Sequence, residues 1–240
     1  MREEKLRVYL ISWTKNLQQT VSAAIRQCYS SVGAAELRKK ISPPKQKELI
    51  KMVLASGHLS TLEHASFTFS IKGVSRVTEI HLIRHRLASY SIQSGRYVKR
   101  AEAGYVLPQS IKNLKKANPI LFKNYLLHLG NSQKIYGELL KNGILAEDAR
   151  YCQPQSLQTK IVVTMNAREL LHFFQLRCCR RAQWEIREMA SQMLKKVKKV
   201  APTIFSVAGP TCETEKICWE GERSCGQWKK IKGAVLKSRV

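Results

Sequence analysis

Arg84, His85 and Arg86 stand in a row, and Ser94, Gly95 and Arg96 follow a few residues later. Guanidinium forks match phosphate oxygens two at a time, and a hydroxyl beside a glycine turn adds an O–H and backbone N–H donors. The residue types therefore suit a cradle for a phosphate-bearing anion. A solvated basic helix end would use the same types, and spacing alone leaves both readings open. His81 and His85 at i, i+4, and His58 with His64, could pair on a metal. Neither pair has a third donor or a His-Glu-x-x-His pattern, so no metal is expected there. Ser94 has no base assigned beside it, which favours binding over nucleophilic attack.

The elements that position these residues are legible from periodicity. Leu6, Val8 and Leu10 alternate with Arg7 and Tyr9, which predicts a strand over 6–13. Val21, Ala24, Ile25 and Cys28 predict an amphipathic helix over 16–29. Pro43-Pro44 opens a helix that stops at Gly57. Ala65, Phe67, Phe69 and Ile71 form the cleanest strand pattern, ended by Gly73. A helix follows with a stripe of Val77, Ile80, Ile83 and Leu87, and places His81, Arg84 and His85 on one side. Residues 98–117 read mostly as loop. Pro119 starts a long helix to about Lys141, and a short helix covers Glu147–Tyr151. Thr159–Met165 alternates as a strand. Asn166 with Glu169 has the form of a capping box, opening a helix to Arg177. A further helix runs from Trp184 to about Val200, and the last 40 residues read as an irregular tail. Without regular βαβ alternation, the pattern predicts an α+β fold in a single domain, an antiparallel or mixed sheet packed by several helices. No Gly-x-Gly-x-x-Gly or Walker loop is present, so no Rossmann unit is expected. The boundary drawn is a catalytic domain over 1–205 and a basic, Cys-containing tail over 206–240.

Composition narrows the class. The chain has 240 residues, 44% apolar, with 42 Lys and Arg against 17 Asp and Glu, a net charge of +25. A surface of that sign attracts anions. No run is long and apolar enough for a membrane span, and no signal peptide precedes the first strand, so a cytoplasmic protein with no membrane partner is expected. The seven cysteines are an odd count for a disulfide framework. Cys212, Cys218 and Cys225 lack the Cys-x-x-Cys spacing of a zinc knuckle, and buried or free thiols are the expectation. Phe173 and Phe174 read as core.

Arg-His-Arg, seven residues, then Ser resembles the signature of flavin-dependent thymidylate synthases, and Arg84-His85-Arg86 to Ser94 carries it. The segment Gly57-His58-Leu59-Ser60-Thr61-Leu62-Glu63-His64, and later Asn166-Ala167-Arg168-Glu169-Leu170, Leu176-Arg177 and Ala182-Gln183-Trp184-Glu185-Ile186, resemble the family in order and spacing. The likeness covers roughly residues 20–200. It implies methylation of dUMP to dTMP with FAD as cofactor and NADPH and methylenetetrahydrofolate as co-substrates. It also implies a homotetramer with active sites at subunit interfaces.

By that resemblance Ser60, Arg84, His85, Arg86, Asn166 and His172 would lie at FAD. His81, Arg84, Gln93, Ser94, Gly95, Arg96, Arg150 and Arg177 would lie at dUMP, with Arg177 the catalytic residue that polarises the uracil ring. Ser91-Ile92 stands where the family often has Asn-Glu, His81 where it has Gln, His172 where some members have Asn, and Arg181 where some have His. No enzyme nucleophile is implied. Cys152, in Tyr151-Cys152-Gln153-Pro154, does not resemble the site of the cysteine-dependent synthases. The reading from another class is a basic nucleic-acid-binding protein. No aromatic-interleaved recognition motif supports it, and no dedicated nucleic-acid partner is expected.

Overall fold

A computed structural model describes residues 2–99 and 103–238. Two compact units emerge from the packing. One comprises Met1–Arg7, Ser70–Arg84 and Tyr90–Val162, the other Val8–Phe69, His85–Ser89 and Val163–Val240.

The first elements are β1 (Arg7–Trp13), α1 (Leu17–Gln27), α2 (Ala34–Lys40), α3 (Pro43–Ser56) and a 3-10 turn at Leu59–His64. Then come β2 (Ser66–Ser75), α4 (Arg76–Leu82), β3 (Ala88–Ile92), α5 (Gln109–Ala117) and α6 (Pro119–Lys141). They are followed by α7 (Ala146–Ala149), a 3-10 turn at Arg150–Cys152, β4 (Gln158–Asn166), α8 (Ala167–Arg177) and α9 (Trp184–Val200). The chain ends in short pieces, among them α10 (Thr211–Thr214), β5 (Ile217–Cys218) and β6 (Val235–Leu236). The fold is α+β, and its four-stranded antiparallel sheet has the order β1-β2-β4-β3. No helix among the described residues is long and apolar enough to cross a membrane.

In the unit containing α8 and α9, the core is aromatic. Phe67, Phe173, Phe174 and Phe205 are fully buried and meet edge to face, with Phe67 and Phe205 ring centroids 5.3 Å apart. Alternation along β4 buries Thr159, Ile161, Val163 and Met165, as its sequence predicts. In the unit containing α6, Tyr136 and Leu129 are buried along that helix. Asn118 caps it by accepting the Leu121 N–H.

Several expectations are corrected. In α1 the buried face is Leu17, Val21, Ser22, Ala23 and Ile25, while Cys28 is exposed. Gly73 does not end its strand. It sits inside β2 at φ +72°, where a Cβ would fall 2.1 Å from the Lys5 carbonyl oxygen, so only glycine admits that close backbone approach. Helix α4 buries Thr78, Glu79 and Leu82, leaving Ile80, Ile83 and Leu87 exposed. It ends at Leu82, so Arg84, His85 and Arg86 lie beyond the helix, in the link to β3. Residues 109–117 are helical, not loop, and the tail beyond Pro202 is built of short helices and a two-stranded parallel ribbon pairing Ile217 with Val235.

Candidate active site

In the unit containing α6, a cavity of about 570 Å³ is lined by Gln93, Ser94, Gly95 and Arg150, together with Arg76, Tyr151 and Gln153. Strand β3 delivers the first three: it pairs with β4, and the Gln93 N–H donates to the Lys160 carbonyl at 2.9 Å just past its end. The chain then turns, with Ser94 Oγ accepting the Arg96 N–H at 3.1 Å. That bond uses the oxygen as acceptor and leaves the hydroxyl proton to donate elsewhere. Arg150 is placed by the 3-10 turn that carries it. Ser132 of α6 grips that turn through the Cys152 carbonyl, 2.5 Å away.

Glu147, which the sequence reading did not single out, holds two of the arginines. Its carboxylate meets Arg96 Nε at 2.5 Å, and its carbonyl accepts from Arg150 Nε at 2.9 Å. Gln153 also went unmarked. Its Nε2 is buried without a hydrogen-bond partner at the wall of the cavity. Both are ordinary polar residues in sequence, and only the fold shows what they touch. His81 is half-buried in the last turn of α4, and Arg84 is exposed just after it.

In the other unit, the chain places His85 against α8. The imidazole is 5% exposed and meets the Phe173 ring edge to face at 4.9 Å. Arg177 Nε donates to its Nε2 at 3.0 Å. Because Nε2 accepts, the ring proton lies on Nδ1, which donates to Glu169 Oε1 at 3.0 Å. Burial, then the Arg177 guanidinium, then His172 push His85 down from 6.5 to about 4. At neutral pH the imidazole is therefore neutral, and it meets Glu169 through a donated hydrogen bond, not as an ion pair. Burial pushes the Glu169 carboxyl up, against the opposing pull of His172.

Asn166 accepts the Glu169 N–H at 2.9 Å, as the first half of a capping box requires. The second half is absent from the observed bonding: the Glu169 side chain turns to His85 instead. Ser60 is exposed in the 3-10 turn at Leu59–His64, which packs on α8 and is tied to it by Arg168 and Glu63 at 2.6 Å. Arg86 and His172 are exposed, and the His172 ring lies 6.0 Å from that of His85. The structure thus joins Gln93, Ser94, Gly95, Arg96 and Arg150 in one unit, and His85, Asn166, His172 and Arg177 around α8 in the other.

Comparison with known proteins gives a consistent picture. A family model described as "Thymidylate synthase complementing protein" matches residues 9–203. The flavin-dependent thymidylate synthase of Geobacter sulfurreducens is 46% identical over 229 residues, covering 95% of this chain and 97% of the relative. The protein of the same name from Pyrococcus abyssi is 42% identical, covering 90% and 91%. Among solved structures, a UMP/dUMP methylase, PolB from Streptomyces cacaoi bound with 5-Br dUMP, aligns with a TM-score of 0.74. It is 25% identical and covers 86% of this chain and 97% of that one.

Proposed function

The chain belongs to the flavin-dependent thymidylate synthase family, and from that membership we infer that it methylates dUMP to dTMP on a bound flavin. It is a methyltransferase, and the nucleic-acid-binding reading is not favoured. We propose further that the flavin is FAD, that methylenetetrahydrofolate donates the carbon and NADPH the electrons, and that the enzyme is a cytoplasmic homotetramer with sites shared between subunits. The exposed apolar side chains of Ile80, Ile83 and Tyr151 support an oligomer.

The donor set suits a flavin dinucleotide. Arg84 and Arg86 are exposed cations flanking a buried, bonded histidine, and neither is held in an ion pair among the described residues. A guanidinium of this kind grips phosphate oxygens two at a time. We assign Ser60, Arg84, His85, Arg86, Asn166 and His172 to FAD, with Asn166 also serving as the cap of α8. Bound reduced flavin supplies the hydride of the methylation.

The protein's own contribution is positioning and electrostatics. Ser94, Gly95 and Arg96 are assigned to the dUMP phosphate, and His81, Arg84, Gln93 and Arg150 to dUMP more broadly. The observation supporting this is their convergence: Gln93, Ser94, Gly95 and Arg150 line one cavity, and Arg96 is bonded through its N–H to Ser94 of that lining and through its side chain to Glu147. Uracil C5 becomes nucleophilic as charge gathers on the N3–O2 edge, and a preorganised cation lowers the cost of that charge. Arg177 is assigned this role because His85 fixes its Nε–H. Neutral His85 serves better than a charged one, since an imidazolium could not accept that proton. The test is tritium release from 5-tritiated dUMP by flavin-loaded protein given NADPH and methylenetetrahydrofolate. Release is expected, and its absence from protein that binds both flavin and dUMP would overturn the assignment.

A further inference from the structure

Five of the seven cysteines line a single cavity of about 410 Å³ in the unit containing α8 and α9. Cys178 and Cys179 come from the turn after α8, Cys212 from α10, Cys218 from β5 and Cys225 from the loop between two 3-10 turns. All are free thiols. Cys212 lies near enough to Cys179, Cys218 and Cys225 to feel their charge, and Cys179 likewise feels Cys218 and Cys225. Cys178 instead turns to Ser191, and burial pushes it up to about 12.

Thiols gathered from separate segments around an open space make poor core, because the space forfeits packing. One tetrahedral zinc ion would need its sulfurs about 3.8 Å apart. Among the described residues no three donors are grouped so as to hold one ion. The cavity that the cysteines line, about 410 Å³, has room for a group larger than one ion. Two of these cysteines already have polar partners: the Arg181 N–H donates to Cys179 Sγ at 3.5 Å, and Cys218 Sγ shares a hydrogen bond with Ser224 Oγ, 3.5 Å away, in which either group can donate. Such bonds stabilise the thiolate ligands of iron–sulfur clusters and tune their potentials. Arg180 and Arg187 bring positive charge to the same wall, against Glu213 and Glu220.

We propose that Cys179, Cys212, Cys218 and Cys225 ligate a four-iron, four-sulfide cluster that fastens the C-terminal segment to the turn after α8. The four thiols give up their protons on ligation, as thiolate ligands must. Cys178, bonded to Ser191, is not a ligand.

The test is composition. The chain is purified anaerobically, or reconstituted anaerobically with ferric iron, sulfide and a thiol reductant, then assayed for iron, acid-labile sulfide and zinc. The expectation is about four irons and four sulfides per chain, with an electron paramagnetic resonance signal on dithionite reduction. Cys212→Ser and Cys218→Ser should lose most of both, while Cys28→Ser, at an exposed site outside the cavity, keeps them. About one zinc per chain without sulfide overturns the proposal, as does a chain that takes up no metal and keeps its thiols titratable. Wild-type composition decides the matter even if a variant fails to fold, and it is independent of dUMP turnover.

Discussion

The Arg177 Nε–H bond to His85 Nε2 depends on charge state, and both members can be tested. Arg177→Lys keeps a cation but loses the Nε–H that His85 accepts. If the assigned role holds, turnover falls about 10²–10³-fold, while flavin content, read from visible absorbance, is retained. Unchanged turnover would refute the role. His85 also makes folding acid-sensitive. As pH falls from about 6.5 towards 4, the unfolded chain protonates this histidine and the folded chain does not. Stability present at neutral pH is lost across that window, by at most about 3 kcal/mol. Glu169, raised by burial, takes up its proton earlier in the folded chain and offsets part of the loss. Urea midpoints at pH 7 and pH 5 should differ less in His85→Gln than in the wild type; equal differences would remove His85 as the cause.

At the level of elements, two single changes probe the frame around these residues. Gly73→Ala forces a left-handed backbone on alanine and drives its Cβ into the Lys5 carbonyl. A loss of about 2–4 kcal/mol is expected in urea unfolding. Asn166→Ala removes the α8 cap and should cost about 1 kcal/mol, with Asn166→Asp restoring most of it. Elements that bury a regular apolar face, such as α3, β2, β4 and α8, were legible because periodicity reports burial. Helix α5 buries no residue and α2 buries only Leu37, so no apolar stripe marked them. Helix α4 misled for the opposite reason: two of its three buried residues are Thr78 and Glu79, while Ile80 and the Ile83 that follows the helix are exposed. Strand β3, Ala-Ser-Tyr-Ser-Ile, is short and polar, and the residues of the site follow directly from it. The residues on the cavity after β3 were readable because guanidinium and hydroxyl chemistry is local. Glu147 and Glu169 were not, because what they do depends on partners that only folding brings near.

Across the whole molecule the surplus of positive charge has two opposed consequences. Self-repulsion at +25 weakens the compact state, and salt screens it. Thermal midpoints should therefore rise between low salt and physiological ionic strength, while KM for dUMP rises a few-fold over the same range as attraction of the dianion is screened. Parallel movement of stability and affinity would count against an electrostatic origin for both. Within that field Glu147 is a local exception, a carboxylate already seated on Arg96 beside the cavity. On the assignment of Arg96 to the dUMP phosphate, an entering anion competes with this resident one for the guanidinium, so recognition there becomes an exchange of partners. A nucleoside has nothing to trade and a weak acid little, whereas a phosphate dianion outbids the carboxylate. On that assignment one glutamate makes this corner of a strongly basic chain selective by the charge number of its guest.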